Sequence, residues 1–377
     1  MRFIGHLHSR TAVLWILLGA LILSACGGQS QDAPMFRANP ARTGVFPSDG
    51  PTTLNELVWK FKTDGWVASS PAVADGVVYV GSSYYGWIYA LDAGTGQEKW
   101  TFKAEDLANS SPAVADGMVY VGVSDEDSPY SQFYAFDAKT GQEKWSFSTA
   151  GRVDSSPAIA GGVVYVGSDD GRLYALDART GQEKWRFKTD GAVGSSPAIA
   201  GGVVYVGSAD GRLYALDTRT GQEKWTFNTD GEVTSSPAVA DGMVYVGSAD
   251  GRLYALDTRT GQEKWTFQTD GEVGSSPAVA DGVVYVGSDD GRLYALDART
   301  GQEKWSFKTD GAVASSPAVA GGVVYVGSED SRLYALDART GQEKWSFKTD
   351  GAVYSSPAVA GGMVYFGSLD GYLYAVR

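Results

Sequence analysis

The chain has 377 residues, 44 of them acidic and 31 basic, and its formal net charge at pH 7 is −13. Such an excess of negative charge repels nucleic-acid phosphates and anionic lipid headgroups. The two histidines are His6 and His8, and the one cysteine is Cys26. Residues beyond Cys26 therefore offer no Ser-His-Asp or Cys-His nucleophile, no histidine-bound zinc or copper site and no thiolate-bound cluster.

The first 25 residues have the features of a secretory targeting segment. Arg2 and Arg10 flank the start of an apolar run over 12–23, which is too short for a structural membrane span, and small residues precede Cys26. The tetrapeptide LSAC at 23–26 resembles the lipobox of bacterial lipoproteins. This resemblance implies a signal peptide over 1–25 and acylation of the Cys26 thiol, which would tether the mature protein outside the cytoplasm.

Residues 26–54 are predicted to be the lipidated cysteine and a flexible leash, because the stretch is rich in Gly, Ser, Gln and Pro and has no sustained period. Within it, the sequences MFR at 35–37 and GVFP at 44–47 resemble a lead-in found before quinoprotein-type propellers, which implies that this part packs locally. A leash of this length would span roughly 25–30 Å on average. Gly27 stands where an aspartate would retain a lipoprotein at the inner membrane. We therefore expect the periplasmic side of the outer membrane in a two-membrane host, and otherwise the outer face of the cytoplasmic membrane.

Residues 55–377 repeat a unit of about 40 residues with the core sequences SSPAVA, VVYVGS, LYALD and GQEKW. Each unit holds four short runs of β-branched or aromatic residues cut by turn residues, so the repeat predicts one eight-bladed β-propeller of four-stranded antiparallel blades. The final unit lacks its Trp segment, and an unpaired Trp strand begins at Leu57. We expect this strand to complete the last blade and close the ring. The eight units start at Ser69, Ser110, Ser155, Ser195, Ser235, Ser275, Ser315 and Ser355.

The pattern A-x-D-x-x-T-G-x-x-x-W, as in Ala175 to Trp185, occurs seven times. It resembles the tryptophan-docking motif of the eight-bladed quinoprotein propellers, and the resemblance covers nearly the whole mature chain. It implies that each Trp packs between neighbouring blades, where an indole buries a large apolar area and its N–H still finds an acceptor. The predicted docking residues are Trp59, Trp100, Trp145, Trp185, Trp225, Trp265, Trp305 and Trp345.

Two classes of function follow from this resemblance. One is a non-catalytic, lipid-anchored scaffold with a protein partner in the envelope, similar to the propeller lipoproteins of outer-membrane β-barrel assembly; it would need no cofactor and would touch the membrane only through its lipid. The alternative is a dehydrogenase or small-ligand sensor that holds pyrroloquinoline quinone (PQQ) and calcium in the axial channel. The chain lacks the disulfide and the blade asymmetry of those enzymes, so we favour the scaffold. A purely mechanical spacer also stays open.

The units differ mainly on one face, which carries the turns before the innermost strands and between the second and third strands. Exposed aromatic residues there are typical of binding surfaces, and blades 8, 1 and 2 would form an aromatic sector, although drift of solvent loops explains the variation equally well. The acidic loop with Asp125, Glu126 and Asp127 is a weak calcium candidate and fits a solvated charge run better. The candidate partner-binding residues are Trp66, Tyr84, Tyr85, Trp87, Asn109, Tyr130, Arg152, Asp154, Glu232, Thr234, Glu272, Tyr354 and Tyr372.

Overall fold

A computed structural model describes residues 35–83, 86–104, 108–124 and 130–377 of the chain. The predictions for the signal peptide, for Cys26, for Tyr84 and Tyr85 and for the acidic loop 125–127 lie outside these residues. In the described part of the chain, no helix is long and apolar enough to cross a bilayer. The described structure is built from strands and turns.

There are 32 strands in the described residues. The first sixteen are β1 (Leu57–Lys62), β2 (Ala72–Ala74), β3 (Val77–Gly81), β4 (Trp87–Asp92), β5 (Glu98–Lys103), β6 (Ala113–Ala115), β7 (Met118–Val123), β8 (Ser131–Asp137), β9 (Glu143–Thr149), β10 (Ala158–Ala160), β11 (Val163–Ser168), β12 (Arg172–Asp177), β13 (Glu183–Lys188), β14 (Ala198–Ala200), β15 (Val203–Ser208) and β16 (Arg212–Asp217). The others are β17 (Glu223–Asn228), β18 (Ala238–Ala240), β19 (Met243–Gly247), β20 (Arg252–Asp257), β21 (Glu263–Gln268), β22 (Ala278–Ala280), β23 (Val283–Ser288), β24 (Arg292–Asp297), β25 (Glu303–Lys308), β26 (Ala318–Ala320), β27 (Val323–Ser328), β28 (Arg332–Asp337), β29 (Glu343–Lys348), β30 (Ala358–Ala360), β31 (Met363–Gly367) and β32 (Tyr372–Val376).

The strands form eight four-stranded antiparallel sheets, which confirms the predicted eight-bladed propeller. Blades 1 to 7 each take four consecutive strands, from β2–β5 to β26–β29. Blade 8 combines β30, β31 and β32 with β1, and Trp59 pairs with Ala375. The amide of Asn55 also donates to the carbonyl of Arg377 at 2.7 Å. The ring is therefore closed by the N-terminal strand, as the surplus Trp segment predicted.

Two features of each unit explain its blade. The first hairpin turns on a pair of residues with positive φ, such as Asp241 (φ 50°) and Gly242 (φ 77°), which is the requirement of a tight two-residue connection. The following strands bury Val, Tyr and Leu side chains between neighbouring blades, so that Tyr245 and Leu253 share a cluster with Val284 of the next blade. The hydrophobic core is therefore a series of layers between blades.

A ring of hydrogen bonds between serines runs around the axis. The amide of Ser236 donates to Ser276 Oγ of the next blade at 3.0 Å. The equivalent bond is present at all seven remaining junctions between neighbouring blades. The ring closes where the amide of Ser356 donates to Ser70 Oγ at 2.9 Å. Serine suits the SSP sequence because its side chain is small enough for the crowded axis and its hydroxyl accepts a hydrogen bond from the neighbouring blade.

Residues 35–51, called the strap below, are not part of a leash. Met35, Phe36, Arg42 and Phe46 are buried, and the carbonyls of residues 40, 41, 43 and 44 accept hydrogen bonds from the innermost strands of four blades. This stretch therefore packs against the blades, as its resemblance to a propeller lead-in implied, and the prediction of a flexible leash over 26–54 does not hold for it. It failed because irregular strap segments have no hydrophobic period, and because their partners lie more than 100 residues away in sequence.

Candidate functional site: the loop face and the strapped axis

The loop face is the face that carries the turns before the innermost strands and between the second and third strands of each blade. The turn face is the opposite one, with the paired-glycine turns and the D-x-x-T-G turns. Among the candidate residues on the loop face, Trp66 is 50% exposed, Tyr130 60% and Tyr354 37%. Large aromatic groups therefore reach solvent in the region of blades 8, 1 and 2.

Trp66 stands beside a groove of about 530 Å³ on blade 8, which is also lined by Lys62, Leu369 and Asp370. Lys62 joins this groove to Tyr372, because its Nζ atom lies 4.6 Å from the centre of the Tyr372 ring and donates to the carbonyl of Asp370 at 2.9 Å. Lys62 therefore links the groove beside Trp66 to the Tyr372 ring.

Trp87 and Tyr372 occupy the position at which blades 3 to 7 carry an arginine. Each ring has a lysine ammonium over it: Lys60 Nζ lies 4.5 Å from the Tyr372 centroid and Lys103 Nζ lies 5.6 Å from the Trp87 centroid. Each ring also contacts a tyrosine of its own strand, at 6.2 Å for Trp87 and Tyr89. Cation–π pairing orders these side chains at the surface.

Tyr354 reaches from blade 8 to the preceding blade, where its hydroxyl donates to Glu329 at 2.6 Å. This bond, together with burial, raises the pKa of Tyr354 to about 12. Asp289 is close to Glu329 and Glu272, and burial together with these like charges raises the pKa of the Asp289 carboxyl. The part of the loop face next to Tyr354 is thus acidic.

Asn109 and Asp154 form a polar group between blades 1, 2 and 3. Ser83 Oγ donates to Asn109 Oδ1 at 2.6 Å, and Ser124 Oγ donates to Asp154 Oδ1 at 2.9 Å. Burial raises the pKa of Asp154 although the bond from Ser124 opposes the shift. These bonds brace the loops of the irregular blades.

Three candidate residues do not join the aromatic residues of blades 8, 1 and 2. Arg152 pairs with an aspartate, and Glu232 and Thr234 lie on a distant blade. Arg152, in the loop before β10, forms an ion pair at 3.0 Å with Asp169 in the turn between β11 and β12 of the same blade. Glu232 and Thr234 are exposed on blade 5, which ring order places opposite blade 1. The structure therefore does not bring Glu232 or Thr234 to the aromatic residues.

The outer-strand tryptophans contact the next blade in the same way at seven of the eight junctions. Trp265 Nε1 donates to the carbonyl of Ala298 at 3.0 Å, and Tyr245 Oη donates to the same carbonyl at 3.1 Å. The indole lies on Gly301, where a Cβ atom would come within 2.7 Å of the ring. The same donors of blade 7, Tyr325 and Trp345, reach a different acceptor, the carbonyl of a strap residue, at 3.0 Å each. The equivalent indole bonds of the other blades are made by Trp59, Trp100, Trp145, Trp185, Trp225 and Trp305.

The aspartate of each D-x-x-T-G turn braces that turn. Asp297 Oδ1 accepts from the amide of Thr300 at 3.0 Å and from its hydroxyl at 2.9 Å, and Lys304 Nζ lies 3.2 Å from Asp297 Oδ2. Hydrogen bonds from Thr300 and then from Lys304 lower the pKa of Asp297. These contacts give the repeated carboxylates a structural use. No group of three or more His, Cys, Asp or Glu side chains in the described residues is arranged to hold a metal ion.

Comparison with known proteins places this geometry in a family. The sequence profile described as outer membrane protein assembly factor BamB matches residues 53–186, 131–234, 169–273 and 270–377, which together span the propeller. The chain belongs to the BamB family. No curated protein sequence matches it significantly.

Solved structures share the fold of this BamB-family chain. BamB from Moraxella catarrhalis is 24% identical, with a TM-score of 0.73 over 85% of this chain and 99% of that one. The computationally designed Ika8 protein is 22% identical, with a TM-score of 0.76 over 86% and 100%. The quinohemoprotein alcohol dehydrogenase from Comamonas testosteroni is 19% identical, with a TM-score of 0.79 over 92% and 80%. The fold is thus common to assembly factors, designed proteins and quinone enzymes.

Quinone enzymes share the fold of this BamB-family propeller, so a PQQ site at its axis would need a cavity large enough for the quinone. The strap lies against the innermost strands at the axis, and the cavity beside its residues Phe36 and Arg37 measures about 10 Å³. Small-molecule sites usually enclose roughly 300–1,000 Å³, and about 10–15 Å³ is the room for one water molecule. The space beside the strap does not fit a quinone.

Three BamB-family residues with extensive contacts were not predicted from sequence: Arg37, Arg42 and Pro51. The arginines are buried, at 4% and 0% exposure, and Pro51 supplies the carbonyl at the junction of blades 7 and 8. A signal for them exists in the sequence, because two arginines and two aromatic residues lie within eleven positions of a stretch otherwise typical of a linker.

Proposed function

We propose that this chain is a non-catalytic scaffold of the bacterial envelope that binds a partner protein through the aromatic residues of its loop face and takes part in outer-membrane protein assembly. Membership of a family described as an assembly factor supports this role. The LSAC sequence ending at Cys26 supports lipid anchoring outside the cytoplasm, on the periplasmic side of an outer membrane where the host has one. The partner is a protein, and neither a nucleic acid nor a cofactor is required.

The observation that carries the proposal is Trp66. Half of this side chain is exposed beside a groove of about 530 Å³. The same position holds no other aromatic residue: it is Ala192, Ala312 or Ala352 in three units and Arg152, Glu232 or Glu272 in three others. An exposed indole beside a concave surface is the usual form of an interface anchor, and tryptophan is enriched among residues whose truncation weakens binding most.

The non-catalytic part of the proposal rests on the residues available. Both histidines precede residue 10, and Cys26 is the single cysteine. The repeated carboxylates of the turn face, such as Asp297, are engaged by a lysine and a threonine of their own turn. These contacts lower the pKa of Asp297, so this carboxylate is poorly suited to exchange protons near neutral pH as a general acid or base.

Site-specific photocrosslinking tests the proposal. A photoreactive amino acid at position 66 should give one dominant adduct in the native envelope, and the same residue at position 192 should not, because Ala192 has the same place in its unit but lies on the regular part of the ring. Identical adducts at both positions, or none at 66, would contradict a specific interface on blades 8 and 1.

The Trp66→Ala variant gives the size of the contribution. Truncation of an interface anchor costs at least about 2 kcal/mol, so affinity for the crosslinked protein should fall roughly 30-fold. Thermal unfolding should be unchanged, because this side chain lies at the surface. Ala192→Ser serves as the matched control and should leave affinity unaltered.

A PQQ-dependent dehydrogenase is the second candidate, favoured by the similarity of fold to a quinone enzyme over 92% of this chain. Titration of the purified protein with PQQ and calcium, followed by the absorbance of the cofactor and by dye-linked alcohol oxidation, decides between the two. We expect no saturable change in the absorbance of the cofactor, since the cavity beside Phe36 and Arg37 is only about 10 Å³. A saturable spectrum with turnover would replace the scaffold proposal.

A further inference from the structure

We infer that the strap, residues 35–51, is a built-in ligand of the axial channel that locks the ring in its closed form. The inference does not depend on the identity of a partner, because it concerns only contacts within the chain. The N-terminal strand β1 closes the ring, and the strap adds contacts at the axis together with the acceptor carbonyl that the last repeat does not provide.

The first part of the lock is made by the main chain. The carbonyls of Pro40, Ala41, Thr43 and Gly44 accept hydrogen bonds from the innermost strands of blades 4, 5, 6 and 7 in that order, at 2.7, 2.9, 2.8 and 2.8 Å. The donors are the amides of Ile199, Val239, Val279 and Val319. The strap thus runs around half of the axis and satisfies inner edges that no strand covers.

The second part is made by two buried arginines. Arg42 donates to the carbonyl of Pro197 in blade 4 at 2.8 Å and to those of Ser156 and Pro157 in blade 3 at 2.8 and 3.0 Å. Each bond joins a charged donor to a main-chain carbonyl, which makes it stronger than a neutral pair. One guanidinium therefore ties two neighbouring blades together.

Arg37 makes the equivalent contacts on the other side of the axis. Its guanidinium donates to the carbonyls of Ser276 and Pro277 in blade 6 and of Pro317 in blade 7. Burial, with the nearby charge of Arg42 as a smaller cause, lowers the pKa of Arg37 to about 9. Both groups stay protonated at neutral pH, and the hydrogen-bond partners of their guanidinium groups in the described residues are main-chain carbonyls.

The third part of the lock lies at the seam, which is the junction of blades 7 and 8, where the last repeat is incomplete. Blade 8 has no D-x-x-T-G turn, and Pro51 provides the carbonyl that Trp345 and Tyr325 require. Phe46 of the strap packs in one cluster with Val73 of blade 1 and Val359 of blade 8. The strap therefore covers both sides of the last blade, where Ser355 Oγ has no hydrogen-bond partner.

Amide hydrogen exchange on the unmodified protein gives the first test. Ile199 and Ile159 stand in the same sequence, SSPAIAGG, and are equally buried, but a strap carbonyl accepts only from the Ile199 amide. The Ile199 amide should exchange about fivefold to tenfold more slowly, as expected for one additional backbone hydrogen bond. Equal exchange at the two positions would overturn the inference.

A variant gives the second test. Replacing both Arg37 and Arg42 with alanine should remove the difference between Ile199 and Ile159 and lower the thermal midpoint. The matched control is the Arg179→Ala, Arg219→Ala pair, which removes two exposed arginines of the turn face and should change neither quantity. Retention of slow exchange at Ile199 in the strap variant would refute the lock.

The Arg42→Lys variant separates charge from geometry and covers the case in which the alanine variant does not fold. A lysine keeps the positive charge but cannot present the planar fork that reaches two blades. We expect faster exchange at Ile199 with the ring still closed, as judged by unchanged circular dichroism. Exchange identical to the unmodified protein would show that the fork is not needed and would contradict the assignment.

Discussion

The junction between blades 5 and 6 and the junction between blades 7 and 8 use the same two donors but different acceptors. Trp265 and Tyr245 donate to Ala298 of the next blade, whereas Trp345 and Tyr325 donate to Pro51 of the strap. Within the repeats, one unit therefore supplies the Trp and Tyr donors of a junction and the next unit supplies the acceptor carbonyl. The last unit lacks the turn that would carry this carbonyl. There, a segment from the other end of the chain takes the place of the missing turn.

The largest expected effect comes from removing an indole at the regular junction. Trp265→Ala leaves a cavity between two blades and should lower the free energy of unfolding by about 3–5 kcal/mol. Trp345→Ala should cost a similar amount if the strap is an equal substitute for the turn. Chemical denaturation of the two variants measures the comparison, and a much smaller loss for Trp345→Ala would mean that the junction at the strap is the weaker one.

The next effect separates backbone strain from packing at that junction. Gly301 and Gly282 both have φ of 72°, but a Cβ atom at Gly301 would lie 2.7 Å from the Trp265 ring, whereas one at Gly282 would meet no atom within 4 Å. Gly282→Ala should cost about 1–2 kcal/mol through backbone strain alone. Gly301→Ala should cost a further 1–3 kcal/mol from overpacking, by an order-of-magnitude comparison. Equal losses would show that the indole moves aside freely.

A smaller effect distinguishes the axis from the seam. Ser235 Oγ donates to Ser275 O at 3.1 Å and accepts from the Gly247 amide at 3.2 Å, whereas Ser355 Oγ has no partner. Ser235→Ala should cost about 1–2 kcal/mol, since it leaves a buried amide unpaired. Ser355→Ala should change the free energy of unfolding by less than about 0.5 kcal/mol. A comparable loss in both would mean that the hydroxyl at the seam is bonded in solution.

The smallest effect is the response of the junction tyrosines to alkaline pH. Burial, followed by the charges of Asp241 and Asp297, raises the pKa of Tyr245 to about 12 from an ordinary value near 10. The folded state keeps the proton more tightly, so this stabilisation is complete below pH 10 and is lost as pH rises to 12. Tyr245→Phe should reduce the slope of stability against pH in that window, and an unchanged slope would exclude this residue as a source.

Sequence periodicity was sufficient for the ring and its closure. The surplus strand at Trp59 and the vacancy after Tyr374 predicted a pairing that the register confirms, since Lys60 lies opposite Tyr374. Repeated residues are predictable because each copy repeats the same local information. The aromatic positions of the loop face could be placed by the same counting, and the exposure of Trp66 and Tyr354 agrees with their place on that face.

The strap could not be placed in this way, because its conformation depends on partners in blades 3 to 8 and in blade 1 and not on its own sequence pattern. The Arg42 side chain is held by carbonyls 114 and 155 residues further along the chain. Main-chain carbonyls leave no trace in the sequence of the partner. The burial of an arginine that is held by main-chain carbonyls, such as Arg42, therefore becomes visible only in the folded ring.

The axial position of the strap also decides how mechanical load enters the protein. Met35 packs against Ala113 and Ile159 of the innermost strands, so anything joined upstream of it is joined at the centre of the ring and not at the rim. A pull on that end would stress several blades at once through Arg37 and Arg42, before any force could peel away β1. Load that enters at the axis is therefore distributed over several blades and does not act first on the pairing of β1 with β32.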